Sequence, residues 1–164
     1  MLAIRIPGIL VTGVAAISLA ACGGTTPTGS GAAASPSSAP LIKTASIQVA
    51  GKTETVLKNG KGLTLYFLTA DTSTTVACTG GCASNWPPLL SPSGTPTSSP
   101  ALPGRLSVIN GPNGNQVLYN GHPLYGYIKD GDSGDAYGQG VGGKWFVATP
   151  DLAPAASPGS GYKS

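Results

Sequence analysis

The sequence predicts an all-β fold in which two related units of short strands, built as meanders and hairpins, pack around one core. The main observation is an internal repeat, because residues 62–71 (GLTLYFLTAD) recur 59 positions later as residues 121–130 (GHPLYGYIKD). Trp86 recurs as Trp145 at the same offset, so one supersecondary unit is used twice. The composition agrees, since 25 Gly and 15 Pro among 164 residues disfavour long helices and favour short strands with tight turns.

The N-terminal 21 residues have the features of a secretory signal peptide. A short positive region, residues 1–5, precedes an apolar stretch, residues 6–20, that is shorter than the ~20 residues needed to cross a bilayer. The stretch ends in Leu-Ala-Ala-Cys at residues 19–22, which resembles the bacterial lipobox. An ordinary signal with an incidental cysteine and a retained membrane helix remain as alternatives.

The lipobox resemblance implies that Cys22 becomes the first mature residue and carries a diacylglyceryl group, with further acylation such as palmitate. Two or three acyl chains anchor a protein stably, because each buried CH₂ contributes ~0.8 kcal/mol. We therefore expect a protein bound to the bacterial cell membrane through its lipid. It would face the outside of the cytoplasmic membrane, at the cell surface or in the periplasm.

Composition also divides the rest of the chain. Residues 22–44 are rich in Gly, Ser, Thr, Pro and Ala and are predicted to form a flexible tether. Residues 153–164 have the same character and are predicted to be a disordered tail. The folded domain is expected at residues 45–152, with repeat 1 at about 52–90 and repeat 2 at about 105–150.

The first repeat predicts a meander of three strands. They are expected at residues 46–49, 53–58 and 63–68, separated by Gly-containing turns at 50–52 and 59–62.

The second repeat predicts four strands, at residues 105–109, 116–119, 123–128 and 144–149. Asn120-Gly121 separates two of them, and Asn-Gly between extended runs is the strongest short hairpin signal because both residues tolerate positive φ. Between the repeats, the Pro-rich stretch 91–104 is predicted to be an extended linker.

Period-two alternation places the apolar residues of the repeated motif on two faces. Tyr66 and Leu68 share one face, and Tyr125 and Tyr127 share the corresponding face of the second copy. The residues between them are apolar too, so these strands are expected to lie between two layers.

The remaining motif residues are predicted to complete this core. Trp86 and Trp145 are expected to return over the Tyr-bearing faces of their own or each other's repeat. Asp71 and Asp130 are expected to accept hydrogen bonds from Tyr O–H or Trp N–H groups, or to cap the turns that follow. A catalytic pair formed by these two carboxylates is the functional alternative.

Cys78 and Cys82 flank Thr-Gly-Gly, and their first interpretation is a disulfide bond. An exported compartment is oxidising, and two cysteines remain after lipidation of Cys22. A redox-active pair is the alternative, although three residues separate these cysteines instead of the two of a thioredoxin motif. A metal centre would need more ligands than one His and one Met in the chain can add.

The motif around these cysteines resembles a known family. Residues 78–89 read C-x-G-x-C-A-x-x-W-P-P-L, and L-Y-x-x-x-x-D occurs twice. Together they resemble the bacterial predicted-lipoprotein family with a Y-x-[FWY]-x-x-D motif, also described as a secreted repeat of unknown function. The resemblance covers about residues 52–150 and implies a lipid-anchored exported domain without an established activity. Leu68, where the first motif usually has an aromatic residue, and residues 110–114, in place of a basic-then-Asp-Gly turn, depart from it.

One further cluster has the composition of a cation site. Asp130, Asp132 and Asp135 are three carboxylates in six residues and form a weak Ca²⁺ candidate. The spacing departs from an EF-hand loop, whose fifth and twelfth positions would be Gly134 and Val141, so a solvated acidic turn is preferred. His122 is interpreted as a solvated turn residue, because no partner is spaced to make it a catalytic base.

Charge and motifs limit the function classes. Nine Lys and Arg against six Asp and Glu provide no basic face for nucleic acid. No nucleophile-elbow, paired-carboxylate or metal-ligand motif predicts an enzyme, and no cofactor is expected. The sequence predicts a monomeric binding or structural module of the envelope, whose protein or small-molecule partner it does not identify. The alternative is an envelope redox or electron-transfer accessory that uses Cys78 and Cys82 or a bound metal.

Overall fold

The computed structural model describes residues 39–92 and 94–156, which fold into sheets of short strands with very little helix. This confirms the predicted all-β class. The predicted signal peptide, the lipidation site Cys22 and residues 157–164 lie outside the described residues. No helix of the described part is long and apolar enough to cross a membrane. The strands there are β1 (Ile42–Val49), β2 (Lys52–Asn59), β3 (Tyr66–Leu68), β4 (Ser98–Ser99), β5 (Leu106–Gly111), β6 (Gly114–Tyr119), β7 (His122–Pro123) and β8 (Trp145–Val147); the helical elements are α1 (Gly81–Asn85) and a 3-10 turn (Val141–Gly143).

Tight turns join the longer strands. The β1–β2 hairpin turns at Ala50 (φ 49°) and Gly51 (φ 83°), and β6 turns into β7 at Asn120 (φ 48°) and Gly121 (φ 83°). Positive φ at both central residues is the requirement of a two-residue type I′ turn, whose twist matches that of the strands. The Asn-Gly signal in the sequence therefore marks a real hairpin.

The strands form three small sheets, with the orders β2-β1-β4, β3-β8 and β5-β6-β7. The β3-β8 sheet joins the two repeats, because β3 belongs to the first copy and β8 to the second. Its antiparallel register pairs Tyr66 with Val147 and Leu68 with Trp145.

A pseudo-twofold axis passes between Tyr66 and Tyr125. The Tyr66 N–H donates to the Tyr125 carbonyl at 2.8 Å, and the Tyr125 N–H donates to the Tyr66 carbonyl at 2.9 Å. Hydrogen bonds farther out follow the same symmetry: Thr69 N–H donates to the Lys144 carbonyl, and its counterpart Ile128 donates to the Asn85 carbonyl, both at 3.0 Å. The two copies are therefore interlocked.

This interlocking shortens two of the predicted strands. The sequence predicts strands over residues 63–68 and 123–128, whereas β3 begins at Tyr66 and β7 ends at Pro123. Leu65 N–H keeps one hydrogen bond to the Leu57 carbonyl of β2, at 2.9 Å. In each copy the chain leaves its own hairpin after such a contact and crosses into the other copy, so a continuous ladder cannot form.

Other boundaries also differ from the predictions. β1 begins at Ile42, inside the predicted tether, and pairs in parallel with β4, which lies inside the predicted linker. The first residues of the predicted disordered tail are bonded to the domain, since Ala155 N–H donates to the Asn120 carbonyl at 2.8 Å. The five-residue helix α1 was not predicted, because it is too short to show helical periodicity.

The two faces of the motif bury two apolar clusters. One cluster contains Tyr66 and Tyr125 with both tryptophans, and the other contains Leu65 and Leu124. Alternating residues of the same strands thus enter opposite clusters, as the period-two pattern predicts. The second cluster borders the surface that carries the groove described below.

Candidate functional site

The polar centre of the domain is a reciprocal contact between the repeats. The Tyr66 hydroxyl donates to Asp130 Oδ2 and the Tyr125 hydroxyl donates to Asp71 Oδ2, each at 2.6 Å. The tyrosines are fully buried and the carboxylates are 5–6% exposed. Each aspartate therefore serves the tyrosine of the other copy, and the two carboxylates are not brought together as a pair.

The second oxygen of each carboxylate holds the loop that follows it. Asp71 Oδ1 accepts from the Ala77 N–H at 2.7 Å, and Asp130 Oδ1 accepts from the Tyr137 N–H at 3.1 Å. Burial raises the pKa of both carboxyls, although these hydrogen bonds oppose it. Burial and the neighbouring carboxylate also raise the pKa of Tyr66 and of Tyr125. Both oxygens of each carboxylate therefore accept a hydrogen bond in the interior, and neither carboxylate is accessible as a base.

Aromatic rings fill the space beside this polar centre. Trp86 and Trp145 are stacked, with ring centroids 3.8 Å apart and planes 4° apart. Tyr127 stacks on Trp86 at 4.1 Å, so Trp86 lies between the two rings. Edges of the motif tyrosines complete the cluster, Tyr66 against Trp86 at 5.5 Å and Tyr125 against Trp145 at 5.1 Å. Each tryptophan therefore packs on the tyrosine of its own repeat and on the other tryptophan.

Cys78 and Cys82 are joined in the structure, with their sulfur atoms 1.98 Å apart. The bond closes the loop that leads into α1, and Cys78 is only 1% exposed. A neighbouring hairpin turn holds the same loop, since Asn113 Nδ2 donates to the Cys78 carbonyl at 2.9 Å. This burial gives the redox alternative no support. Among the described residues no three His, Cys, Asp or Glu side chains are placed to hold a metal ion.

The acidic loop folds over a buried lysine. Lys58 is 2% exposed, and its Nζ donates to Thr64 Oγ1 at 2.7 Å and to the Ser133 carbonyl at 2.8 Å. Burial lowers the pKa of Lys58, although Asp130 and Asp135 oppose this shift. The sequence did not single out Lys58, because a lysine near the end of a predicted strand has the pattern of a solvated residue.

The carboxylates of the Ca²⁺ candidate have different surroundings. Asp135 Oδ2 accepts from the N–H groups of Gly131 and Asp132, both at 2.8 Å, and is therefore occupied within its own turn. Asp130 is directed into the core toward Tyr66, as described above. The structure does not bring the three side chains to one point.

His122 begins β7 and is half-buried, so it is not an exposed turn residue. Its ring is 4.8 Å from that of Phe67, and its Nε2 is 3.1 Å from the Ala153 carbonyl. Its Nδ1 is buried and has no hydrogen-bond partner in the described part of the chain. Burial lowers the pKa of His122, with the Ala153 carbonyl and Asp71 acting in the other direction. The side chain joins the tail to the domain, whereas the sequence predicts a solvated residue.

An apolar groove of about 480 Å³ opens between the repeats and is the strongest candidate for a binding site. Such volumes are typical of small-molecule sites. A depression of about 750 Å³ elsewhere has only five lining residues, Glu54, Thr55 and 149–151, and is therefore a poorer enclosure. The groove is lined by Leu41, Asn59, Gly60, Lys61, Leu63, Leu65, Pro87, Pro88, Leu89, Gly126, Tyr127, Ile128 and Asp130.

The repeat pattern did not predict the groove, although the sequence contains a signal for it. Gly126 occupies the position in the second copy that Phe67 occupies in the first, so the second copy lacks an aromatic side chain there. The exposed Ile128, at 61%, extends the apolar surface beyond the groove.

Two segments of the chain, residues 48–90 and 107–149, match a protein family described as a secreted repeat of unknown function. Together they cover more than half of the chain. Their starts lie 59 positions apart, which is the offset of the internal repeat. No curated protein and no solved structure matches the chain.

Proposed function

Because the chain belongs to the family of secreted repeats of unknown function, we propose that its β domain is a binding module of the bacterial cell envelope, held at a membrane by a lipid on Cys22. Export follows from the family itself. The lipid anchor and the binding role go further and have separate support.

The anchor is supported by residues 19–22, Leu-Ala-Ala-Cys, which resemble a lipobox. The chain between Cys22 and the first strand is rich in Gly, Ser, Thr, Pro and Ala. A flexible segment of that length has a root-mean-square reach of roughly 25 Å, enough to hold the domain clear of lipid headgroups.

The binding role is supported by one observation above the others. The motif aspartates and the two cysteines are engaged inside the domain, whereas the groove between the repeats is open and largely apolar. Asp71 and Asp130 each hold a tyrosine and a loop N–H, and Cys78 is bonded to Cys82. An accessible apolar groove with few polar groups is the usual form of a ligand site.

Cys22→Ser tests the anchor in a bacterium that processes lipoproteins. The native chain is expected to incorporate labelled palmitate and to enter the detergent phase in a Triton X-114 partition. The variant is expected to take up no label, with unchanged circular dichroism and melting temperature of the folded domain because Cys22 precedes it.

The Cys78→Ser/Cys82→Ser variant is the matched control, since it removes cysteines but leaves the lipobox. It should still be labelled and still enter the detergent phase. Palmitate labelling of the Cys22→Ser chain equal to that of the native chain would contradict the lipid anchor.

A further inference from the structure

We infer that the groove between the repeats binds a small aromatic carboxylate, with the ring at Gly126 and the carboxylate at Lys61. The inference rests on the proposed binding role and names the class of ligand. It follows from comparing the groove with its pseudo-symmetric counterpart in the same domain.

Backbone hydrogen bonding identifies the counterpart. Gly126 N–H donates to the Pro87 carbonyl at 2.8 Å in the second copy's crossing strand. At the positions 59 residues away, Phe67 of β3 is paired with Phe146 of β8. Gly126 and Pro87 thus occupy the places that Phe67 and Phe146 occupy on the other side of the axis.

Aromatic side chains fill that other side. The Phe67 ring lies 4.8 Å from the His122 ring and 6.1 Å from the Phe146 ring. On the groove side the matching residues are Gly126, Leu63 and Pro87, and none of them has an aromatic ring. The groove is therefore the place of a missing phenylalanine side chain.

The space at Gly126 is sufficient for such a ring. A Cβ added there would meet only the Pro87 carbonyl oxygen, at 3.9 Å, which is an ordinary contact. The groove measures about 480 Å³, whereas an apolar cavity of roughly 150 Å³ already holds benzene. Leu41, Leu65 and Leu89 supply apolar walls.

Charge at the groove favours an anionic substituent. The groups of its lining that can carry a charge near neutral pH are Lys61 and Asp130. Lys61 is exposed, and Asn59 Oδ1 fixes its turn by accepting from the N–H groups of Lys61 and Leu63 at 2.9 and 3.0 Å. The Asp130 carboxylate is buried and already accepts from Tyr66 and Tyr137. A carboxylate on the ligand would meet the lysine without facing an exposed acid.

Phenylacetate is the probe, tested on the full chain carrying Cys22→Ser so that no lipid contributes. Two further probes separate ring from charge: acetate lacks the ring, and benzylamine has the ring with a positive charge. Binding is followed by amide chemical shifts in ¹H–¹⁵N spectra. Saturable shifts are expected at Lys61, Gly126 and Ile128 with phenylacetate, and at least several-fold weaker binding with each of the other probes.

Gly126→Phe is expected to abolish phenylacetate binding, because the new side chain would fill the groove as Phe67 fills its counterpart. Gly134→Phe is the matched control, since Gly134 is exposed with nothing near its Cβ position, and it should bind as the parent does. Lys61→Gln should weaken the binding of phenylacetate several-fold and should not weaken the binding of benzylamine.

Equal binding of phenylacetate by the Gly126→Phe and Gly134→Phe chains would overturn the inference. If Gly126→Phe does not fold, the shift map of the parent decides, because shifts confined to residues outside the groove, or no saturable shift, contradict it too. If benzylamine bound more tightly than phenylacetate, the assignment of a negative charge to the ligand would be overturned. The Triton partition of the lipidated chain does not depend on the groove, so failure here leaves the anchor intact.

Discussion

At the scale of single residues, the hydroxyl–carboxylate contacts between the copies are alike but not equal. Both tyrosines donate at 2.6 Å, yet the Tyr66 oxygen also accepts from the Gly138 N–H at 3.2 Å. Gly138 is packed so closely that an added Cβ would lie 2.7 Å from Tyr66 Cε1. Tyr66 thus organises its surroundings more than Tyr125 does.

Tyr125→Phe should lower the free energy of unfolding by about 1–3 kcal/mol, because it leaves Oδ2 of the buried Asp71 without its donor. Tyr66→Phe should cost more, since it also leaves the Gly138 N–H without its acceptor. Urea unfolding of both variants measures the difference. Tyr127→Phe is the control, because the structure gives its hydroxyl no hydrogen bond within the described residues, and its effect should be small. Equal losses for Tyr66→Phe and Tyr125→Phe would contradict the role assigned to Gly138.

His122 predicts a pH dependence of stability. Burial lowers its pKa below the ordinary value of 6.5, so the fold favours the neutral ring. The stability that this contributes is complete above the unfolded-state pKa and is lost as the pH falls through the lower folded-state pKa. His122→Gln, whose amide can still donate to the Ala153 carbonyl, should therefore lose less stability than the native chain between about pH 7.5 and 5.

The urea unfolding midpoints of the native and His122→Gln chains, each measured at both pH values, give the loss of stability of each chain, and the two losses are compared. Asp71 and Asp130 have raised pKa values, and their contribution runs the other way, from full at low pH to lost as the pH rises. Both chains contain these carboxylates, so the comparison reports the histidine together with its electrostatic interaction with Asp71. Parallel pH profiles would show that His122 is not perturbed in the fold.

The motif residues could be recognised from sequence, whereas their partners could not. Repetition identifies Tyr66, Asp71 and Trp86 together with their second copies, and alternation identifies their faces. Spacing along the chain does not say which copy supplies each partner, because that depends on an axis that exists only after the two copies meet. For the same reason His122 was misjudged and Lys58 was not singled out, since distant segments bury them.

At the scale of elements, the two copies brace the loop after the motif by different means. The first copy uses the Cys78–Cys82 bond ahead of α1, whereas the second has Tyr137 and Val141 at the matching positions and a 3-10 turn. In that copy Asp135 holds its own turn through two N–H groups. One structural position therefore accepts a covalent or a hydrogen-bonded brace.

Replacing both Cys78 and Cys82 with alanine should lower the free energy of unfolding by about 2 kcal/mol, the chain-entropy value for a loop this short. The fold should persist, because the second copy maintains its loop without a bond. Thermal melts and circular dichroism of the variant measure both statements, and reduction of the native chain should reproduce the shift. A global loss of structure would show that the bond is needed for folding itself.

Element boundaries were harder to predict than element type. Hairpins closed by Asn-Gly or Gly turns follow local rules, and β1–β2 and β6–β7 obey them. Strands that cross between copies end where the chain passes from one set of neighbouring strands to another. The strands predicted at 63–68 and 123–128 are therefore replaced by the short strands β3 and β7 and by single bridges. The groove belongs to this class too, since it depends on Gly126 in one crossing strand.

At the scale of the whole molecule, the repeats form a single cooperative unit. The β3-β8 sheet, the Tyr66–Tyr125 backbone bonds and the Trp86–Trp145 stack all join one copy to the other. Neither copy alone has a complete ladder for its crossing strand or a tyrosine hydroxyl donor for its buried carboxylate. An isolated copy would expose these groups and a large part of its apolar surface.

A protease site inserted between Gly94 and Thr95, which are both exposed, tests whether the fold needs an unbroken chain between the repeats. The cleaved protein should remain folded and unfold in one transition, because its contacts span the cut. Either fragment purified in denaturant should be unfolded alone by circular dichroism, and mixing should restore the native spectrum. Independent folding of one fragment would contradict the interlocked arrangement.

The reciprocal hydroxyl–carboxylate exchange has a consequence for ancestry and copy number. A primitive gene encoding one copy would satisfy the same bonds by assembling as a homodimer about a true twofold axis, and its duplication and fusion would yield the present chain. Polypeptides of this kind are then expected to carry even numbers of copies, and one with an odd number should pair with a second molecule, which sedimentation equilibrium would detect as a dimer.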